Sequence, residues 1–310
     1  MRIAIFGSTS LIAKDLIQSF AAQCRDELVL YARHPETVKQ WLTSIGLSTR
    51  YAVADFGVFS VAEQFDVIFN FVGVGNPAQA AAMGAVIFEV TLKYDEMALD
   101  YVRQHPNCRY IFLSSGAAYG TSFDAPVDEN TKASISINSL QQQDWYAIAK
   151  LHAECRHRAL PHLAIIDIRV FNYFSHTQNM DARFLVTDIF RAVRDKTVLQ
   201  TSSDYIVRDF LHPSDFHQLT RKLIDAPAMN TVVDCYSRAP IDKPTLLTAM
   251  QDRFNLIYKT VPSSPSLTAT GNKPYYYSTN RRAASFGFEP MLSSLEGIIQ
   301  ETLILLQTKS

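Results

Sequence analysis

A tyrosine and a lysine four residues apart, Tyr146 and Lys150, have the types and the spacing for proton transfer. Residues i and i+4 are neighbours on one face of a helix. A phenol with a pKa of about 10 is a poor base at neutral pH. A nearby ammonium, together with the positive ring of an oxidised nicotinamide, would stabilise the phenolate and lower that pKa. Because the same spacing arises often on helices without any such role, the pair needs support from the rest of the chain.

The turn "GSTSLIA", from Gly7 to Ala13, follows an apolar strand pattern and precedes a helical one. A dinucleotide-binding turn needs a glycine where the chain reverses, and small residues where the backbone meets the pyrophosphate and where helix packs on strand. Gly7 and Ala13 suit the first and third positions, and Ser10 replaces the expected middle glycine. The Ser10 hydroxyl could donate to the phosphates, and an ordinary tight turn is the alternative. The predicted cofactor contacts here are Gly7, Ser8, Thr9, Ser10, Leu11 and Ile12.

The second strand pattern ends in Arg33 and His34 instead of an acidic residue. An acid would accept hydrogen bonds from a ribose 2′-hydroxyl, whereas an arginine suits a 2′-phosphate. We therefore expect NADP in preference to NAD, with a solvated surface arginine as the alternative. Asp55, at the end of the third strand pattern, could reach the adenine ring or could cap a helix. Further cofactor contacts are expected at the ends of the third and fourth strand patterns, from Phe56, Phe71, Val72 and Gly73.

The segment "IFLSSGAAYG" (111–120) has the pattern of a buried strand that ends in small polar residues. Open α/β sheets place their ligands at the carboxyl ends of strands. Ser115 is therefore placed to hydrogen-bond a substrate oxygen, and the predicted substrate contacts here are Ser115, Gly116 and Ala117. A local bond from the serine to the backbone is the alternative.

Length and composition limit the other possibilities. The 310 residues, 47% hydrophobic and 19% charged, suffice for a large α/β core or for a main domain with a smaller companion. A net charge of -1 gives no electrostatic reason to expect nucleic acid or a membrane surface. The four cysteines are far apart and include no C-x-x-C, so neither zinc nor disulfides are expected. No signal peptide or membrane span is recognised, which predicts a soluble cytoplasmic protein.

Strand and helix patterns alternate through the first half of the chain. Apolar strand patterns occupy residues 2–6, 27–32, 51–56, 66–74, 109–115 and 163–171. Helical patterns occupy residues 11–24, 34–45, 86–104 and 139–160. This alternation predicts an α/β fold, a Rossmann-type doubly wound parallel sheet.

The pattern becomes less regular after about residue 175. We expect an NAD(P)-binding domain over 1–172 and a smaller, mainly substrate-binding lobe over 173–310, with segments that return to the main domain. Residues 263–282 are predicted to form a surface loop, because they are rich in turn formers. The tyrosines at 275–277 could line a pocket or belong to a covering loop, and residues 230–237 fit a strand.

Taken in this order, the segments closely resemble the extended short-chain dehydrogenase/reductase family, the NAD(P)-dependent epimerases, dehydratases and reductases of nucleotide sugars. "SSGAAYG" resembles the family's serine-rich strand end, with Ser115 on the catalytic Ser/Thr position. "YAIAKLHAE" resembles the family's Tyr-x-x-x-Lys helix. "RVFNYF" (169–174) puts Asn172 on a substrate-contacting position. "VRDFLHPSDF" (207–216) makes Arg208 the candidate for gripping the substrate diphosphate, with Asp209 and Asp215 as structural residues.

The chain also departs from the family pattern. Ser10 and Ala13 replace glycines, so the pyrophosphate contact is expected to differ. Gly116 and Ala117 stand where the family's 4,6-dehydratases carry an Asp-Glu pair, so dehydration is not expected. Residues 173–175, "YFS", replace the usual Tyr-Gly-Pro, which implies a differently shaped substrate floor.

The resemblance implies a nucleotide-sugar enzyme in which Ser115, Tyr146 and Lys150 are catalytic. We expect an NADPH-dependent reductase of a keto-sugar attached to a nucleotide diphosphate. The nearest alternative is an NAD-dependent 4-epimerase that uses the same residues. An alternative of another class is a non-catalytic NAD(P)-binding scaffold or sensor. Family members often pair through their long helices, so we expect a homodimer.

Overall fold

The computed structural model describes residues 1–74, 80, 82–120, 122–262 and 273–307. The chain divides into two compact units. Unit 1 comprises 1–120, 135–169 and 219–233, and unit 2 comprises 121–134, 170–218 and 234–310. The assignment of nucleotide binding to residues 1–172 and of substrate binding to 173–310 stays a prediction.

The strands and helices are numbered in chain order. The strands are β1 (Arg2–Phe6), β2 (Glu27–Tyr31), β3 (Ala52–Ala54), β4 (Val67–Asn70), β5 (Arg109–Ser115), β6 (Ile165–Val170), β7 (Asn172–Tyr173), β8 (Val198–Ser202), β9 (Val207–Arg208), β10 (Phe210–Leu211), β11 (Thr231–Asp234), β12 (Ile241–Asp242), β13 (Ile257–Val261) and β14 (Tyr275–Tyr276). The helices are α1 (Leu11–Gln23), α2 (Pro35–Ser44), α3 (Val86–Gln104), α4 (Trp145–Arg158), α5 (Leu185–Asp195), α6 (Pro213–Asp225), α7 (Lys243–Phe254) and α8 (Ser294–Gln307).

A seven-stranded sheet forms the centre of unit 1, in the order β11-β6-β5-β4-β1-β2-β3. The neighbours β1 and β2, β1 and β4, β2 and β3, and β4 and β5 pair in parallel. The central strands are buried almost throughout, as expected for a parallel sheet that helices cover on both faces. The predicted Rossmann-type α/β fold is confirmed.

Aromatic side chains fill one part of the unit 1 core. The Phe6 ring lies 5.6 Å from Tyr31 and 5.3 Å from Phe56, with both pairs edge to face. Phe56 also lies 4.4 Å from Tyr94 of α3. Such pairs add to the free energy of burial and restrict how the rings can move. They therefore fix the ends of β1 and β2, from which the candidate cofactor residues extend.

Unit 2 contains three small sheets, with strand orders β10-β7, β12-β9-β14 and β13-β8. Its core is a separate cluster of buried apolar side chains that includes Ile189, Phe190, Leu246, Met250 and Ile298. These side chains come from α5, α7 and α8. No helix of the described ranges is long and apolar enough to cross a membrane.

The long helix predicted over 139–160 is wrong at its start, because α4 begins at Trp145. Short 3₁₀ turns occupy Ile137–Ser139 and Gln142–Asp144 instead. Gln141 between them is extended, and its backbone N–H donates to the Asp144 carboxylate at 2.9 Å. This local hydrogen bond interrupts the helical path and leaves Tyr146 in the first turn of α4.

The loop predicted over 263–282 is partly wrong. Residues 263–272 lie outside the described residues, but β14 pairs in parallel with β9, Tyr275 opposite Val207 and Tyr276 opposite Arg208. The Val207 N–H also donates to the Pro274 carbonyl at 2.7 Å. A two-residue strand held by such tertiary hydrogen bonds carries no period-2 pattern in the sequence.

Candidate active site

The register of the sheet brings most of the predicted site to one edge. Phe6 lies opposite Tyr31 on one side and Asn70 on the other, and Asn70 lies opposite Phe112. The residues that follow these strands are the ones singled out by their chemistry. They are Gly7 after β1, Arg33 after β2, Asp55 after β3, the 71–73 turn after β4, and Ser115 at the end of β5.

The glycine turn is packed tightly against the turn that follows β4. Gly7 has a φ of +74°, in the left-handed region that favours glycine. A Cβ atom added to Gly7 would lie 2.8 Å from the Val72 nitrogen and 2.9 Å from the Phe71 carbonyl carbon. The Gly7 and Ser8 N–H groups both donate to the Tyr31 carbonyl, and so does the Ser8 hydroxyl at 3.1 Å. The buried Ser8 side chain therefore fixes the turn from within.

Ser10, which replaces the expected middle glycine, is the N-cap of α1. Its φ of -69° and ψ of 151° are extended, so this position does not need a glycine conformation. The Ser10 hydroxyl oxygen accepts from the Ala13 N–H at 3.2 Å. Ala13 is fully buried, as expected where α1 packs on the sheet. No acidic residue lies in the first turn of α1, which leaves the helix N-terminus favourable for an anion.

Arg33 and His34 are exposed after β2, and His34 is the N-cap of α2 without a side-chain capping bond. Within the described ranges, no carboxylate pairs with Arg33. Asp55 is also exposed, and its carboxylate accepts from the Gly57 N–H at 2.7 Å, which makes it the cap of a 3₁₀ turn. The Phe56 side chain points into the aromatic core, so only its backbone could face a nucleotide.

Ser115, Tyr146 and Lys150 lie together in unit 1. The Ser115 hydroxyl hydrogen-bonds to the Tyr146 phenol, and its oxygen also accepts from the Ala117 N–H at 3.1 Å. Gly116 and Ala117 begin a buried 3₁₀ turn that Ser115 caps. The local backbone bond expected as an alternative role for Ser115 thus exists together with the bond to the tyrosine.

Lys150 is held one helical turn beyond Tyr146. The Nζ atom donates to the Leu113 carbonyl at 2.6 Å and lies 4.4 Å from the centre of the Phe112 ring. Its distance to the centre of the Tyr146 ring is 6.0 Å. A Cβ atom on Gly73 would lie 3.5 Å from this Nζ atom, so the turn after β4 passes directly beside it.

Burial dominates the acid–base properties of the pair. It raises the pKa of Tyr146, and the hydrogen bond from Ser115 opposes that rise. Burial also lowers the pKa of Lys150 to about 8, against the opposing effect of Asp95, Glu154 and Asp167. In the protein alone, the Tyr146 phenol therefore stays protonated at neutral pH. The lowered tyrosine pKa was expected with an oxidised nicotinamide bound beside it, and the protein without that ring does not have it.

Asn172 and Arg208 belong to unit 2. The Asn172 amide nitrogen donates to the carbonyls of Asp209 and Tyr276, at 3.2 and 3.3 Å. Its amide oxygen is the part that remains for a ligand. The Arg208 side chain is buried, and its Nη1 atom donates to the carbonyl of Lys273 at 2.7 Å. Burial lowers the pKa of Arg208 to about 10.

The two acids near Arg208 have structural roles. The Asp209 carboxylate accepts from the Ser237 N–H at 3.0 Å and from the Ser294 hydroxyl at 3.1 Å. The Asp215 carboxylate accepts from the N–H groups of Met291 and Leu292. Both acids hold chain segments of unit 2 together, and the substrate contacts of Asn172 and Arg208 stay predictions that rest on the sequence resemblance.

Sequence reasoning did not single out Asn70, the last residue of β4. Its side chain is 1% exposed, and its amide oxygen accepts from the Val72 N–H at 2.9 Å. This bond turns the chain, so β4 ends there and not at residue 74 as predicted. The available signal was one amide inside the otherwise apolar run "VIFNFVGV" (67–74), four residues before the end of that run.

Comparison with protein families gives one match that covers most of the chain. The model of the NAD dependent epimerase/dehydratase family matches residues 3–234. No curated protein sequence matches the chain.

Several solved structures have a similar fold over the whole chain. The UDP-glucuronic acid 4-epimerase of Bacillus cereus, in complex with NAD, is 15% identical, with a TM-score of 0.76 and coverage of 100% of both chains. The dTDP-glucose 4,6-dehydratase of Bacillus anthracis, in complex with NAD, is 13% identical, with a TM-score of 0.79 over 100% of this chain and 97% of that one. The UDP-glucose 4-epimerase of Bifidobacterium longum, in complex with NAD+ and UDP, is 17% identical, with a TM-score of 0.76 and coverage of 100% of this chain and 99% of that one. At these identities the likeness establishes the fold.

Proposed function

The chain belongs to the NAD dependent epimerase/dehydratase family, and from this premise we propose that it is an NADPH-dependent reductase of a keto-sugar attached to a nucleotide diphosphate. The observation that carries the proposal is the hydrogen bond between Ser115 and Tyr146, with Lys150 one turn away on the same helix. The family predicted from the sequence motifs is confirmed, and the reaction within the family is what we propose.

The residues at the sheet edge fit a dinucleotide. The close approach of Gly7 to Val72 leaves no room for a Cβ atom, and the N-terminus of α1 directly follows. Backbone N–H groups at such a helix start favour a pyrophosphate. Similar folds bind NAD, for example in the 4-epimerases and the 4,6-dehydratase. When bound, the reduced nicotinamide supplies the hydride.

Arg33 supports NADPH over NADH. It is an exposed guanidinium at the end of β2, the position where an acid would bind a 2′-hydroxyl. The neighbouring acid, Asp55, is engaged with the Gly57 N–H. Arg33 can therefore present its planar fork to a 2′-phosphate.

The protonation states suit a reductase. Because burial raises the pKa of Tyr146, the phenol is protonated at neutral pH and can donate its proton to a carbonyl oxygen that accepts a hydride at carbon. The Ser115 hydroxyl would hydrogen-bond that same oxygen. The Lys150 ammonium, held by the Leu113 carbonyl, would stabilise the phenolate left behind and hold the ribose of the nicotinamide.

Arg208 supports an anionic group on the substrate. The residue is 7% exposed, and no carboxylate of the described ranges pairs with its guanidinium. A buried cation without an acid is costly unless a ligand supplies the negative charge. A nucleotide diphosphate has that charge, and Asn172 would present its amide oxygen to the sugar or nucleotide.

Dehydration has no support at this site. Gly116 and Ala117 are buried and offer neither acid nor base where the family's 4,6-dehydratases carry two carboxylates. The 4-epimerase remains the second candidate, because two of the similar folds are 4-epimerases with NAD and the same three residues would serve it. The third alternative, a non-catalytic NAD(P)-binding scaffold or sensor, gives no reason for the Ser115, Tyr146 and Lys150 arrangement.

The experiment that separates the candidates examines the purified protein before any substrate is added. One sample is denatured and any released dinucleotide is identified by mass, and a second is titrated with NADPH and with NADH. We expect an empty protein that prefers NADPH. Stoichiometric NAD retained through purification would favour the epimerase, and binding of neither nucleotide would overturn the catalytic proposal.

A homodimer is also proposed, formed through α3 and α4. Two apolar side chains of α3, Val86 and Leu92, are 49% and 43% exposed. Sedimentation equilibrium tests this proposal, with a molar mass near twice that of the chain as the expected result.

A further inference from the structure

A chain of hydrogen bonds in unit 1 joins the turn after β4 to a buried carboxylate. The Val72 N–H donates to the Asn70 amide oxygen at 2.9 Å, and the Asn70 amide nitrogen donates to the Tyr110 hydroxyl at 2.9 Å. That hydroxyl donates to the Asp95 carboxylate at 2.8 Å. Asn70, Tyr110 and Asp95 are each at most 1% exposed, so water does not compete for these bonds.

The groups at the two ends of this hydrogen-bond chain determine which partner donates in each bond. Asp95 also accepts from His157 and Arg156, at 2.7 and 2.6 Å, and an ionised carboxylate can only accept. Tyr110 must therefore donate to Asp95, and its oxygen is left to accept from the amide of Asn70. At the other end the Val72 N–H can only donate, so the Asn70 amide oxygen must face it. One orientation of the amide satisfies every group.

The turn that these hydrogen bonds hold, residues 71–73, lies between two parts of the proposed cofactor site. On one side a Cβ atom at Gly7 would lie 2.8 Å from the Val72 nitrogen. On the other side a Cβ atom at Gly73 would lie 3.5 Å from the Lys150 Nζ atom. A displacement of the turn would therefore change its spacing to the glycine turn, to Lys150, or to both.

We propose that Asn70, Tyr110 and Asp95 are positioning residues for cofactor binding, and that their hydrogen-bond chain holds residues 71–73 between the glycine turn and Lys150. The inference rests on the proposed function, because it assigns to these residues the placement of the NADPH site. If the Tyr110 hydroxyl is lost, the buried NH₂ group of Asn70 is left without its acceptor. The side chain must then shift to reach another acceptor, and this moves the amide oxygen that holds the Val72 N–H.

The test compares Tyr110→Phe with Tyr101→Phe. Tyr101 is also fully buried in unit 1, and its hydroxyl also makes two hydrogen bonds, with the Phe65 N–H and the Glu63 carbonyl, both at 2.8 Å. Both variants lose a buried hydroxyl, but only Tyr110→Phe breaks the chain to Val72. We expect Tyr110→Phe to raise the Kd for NADPH at least tenfold and to speed amide exchange in residues 71–74, and Tyr101→Phe to change neither by more than twofold.

A second variant, Asn70→Leu, keeps about the size of the side chain but removes both the NH₂ group that donates to Tyr110 and the oxygen that accepts from the Val72 N–H. The turn then loses its side-chain hydrogen bond, so we expect the same weakened NADPH binding and faster exchange. Equal Kd values and equal exchange rates in Tyr110→Phe and Tyr101→Phe overturn the positioning role. Wild-type protein that binds neither NADPH nor NADH overturns the proposed function, and the positioning role falls with it.

Discussion

Gly7 and Val72 approach so closely that a Cβ atom on Gly7 would lie 2.8 Å from the Val72 backbone nitrogen. The glycine turn and the turn after β4 are therefore one packed unit, although more than 60 residues separate them in the chain. Both turns belong to the proposed nucleotide site, so a change at this contact should be visible in cofactor binding.

Gly7→Ala should disrupt this contact. The variant combines a φ of +74°, which disfavours a side chain, with a clash against the backbone of residues 71 and 72. We expect a loss of roughly 1–3 kcal/mol in the free energy of unfolding and at least a tenfold rise in the Kd for NADPH. Gly46→Ala is the matched control, because Gly46 has the same φ but nothing within 4 Å of its Cβ position. Equal nucleotide affinity in the two variants would contradict the packing role.

Arg33→Ala tests the preference for NADPH. Hydrogen bonds to a charged group contribute about 1.5–3 kcal/mol, which corresponds to roughly a 10- to 150-fold change in affinity. We expect the Kd for NADPH to rise by that order and the Kd for NADH to change less than twofold. Lys39→Ala, which removes another exposed cation from the following helix, should leave both values unchanged. A proportional loss of affinity for both nucleotides would instead indicate general damage to the site.

The pH dependence of reduction should reflect Lys150. Burial lowers its pKa to about 8, so the ammonium is lost as the pH rises above that value. Because kcat/KM reports the free enzyme, we expect it to fall about tenfold per pH unit above pH 8. Kd values for NADPH measured at the same pH values separate this loss from weakened binding. A kcat/KM that stays constant to pH 9.5 would show that the ammonium is not required.

His157 should make stability depend on pH. Burial alone would lower its pKa, but the carboxylates of Asp167 and Asp95, at 2.6 and 2.7 Å, outweigh that effect and raise it to about 9. A folded-state pKa above the unfolded value means that this contribution is full below about pH 6.5 and is lost as the pH rises through 9. We expect the free energy of unfolding in urea to fall by on the order of a few kcal/mol between pH 6.5 and pH 9.5. His157→Gln should reduce that slope, and an equal slope in the variant would exclude His157 as its source.

The parts of the fold that follow strong local patterns could be predicted from the sequence. β1, β5 and α3 have the predicted bounds, because long apolar runs and helical periodicity identify them. Once the strands are parallel, their shared register places Gly7, Arg33, Asp55 and Ser115 at one edge without any further information. This is why a single sequence indicates so much of the candidate site.

The features that escaped prediction depend on contacts between distant segments. β14 exists because it pairs with β9, and α4 begins at Trp145 because Asp144 bonds back to Gln141. The chain of hydrogen bonds from Asn70 to Asp95 joins the end of β4 to the middle of α3 through Tyr110 of β5. Neither periodicity nor a local motif records such an arrangement.

The most direct test of the proposed chemistry is NADPH oxidation with UDP- and dTDP-linked 4-keto-sugars, measured for the wild type and for Tyr146→Phe. Tyr258→Phe, at a half-buried tyrosine of β13 in unit 2, is the control for loss of a hydroxyl. We expect wild-type turnover with at least one keto-sugar, a loss of about a thousandfold in Tyr146→Phe, and a Kd for NADPH within about twofold of wild type in both variants. Wild-type turnover in Tyr146→Phe would contradict the role given to the tyrosine.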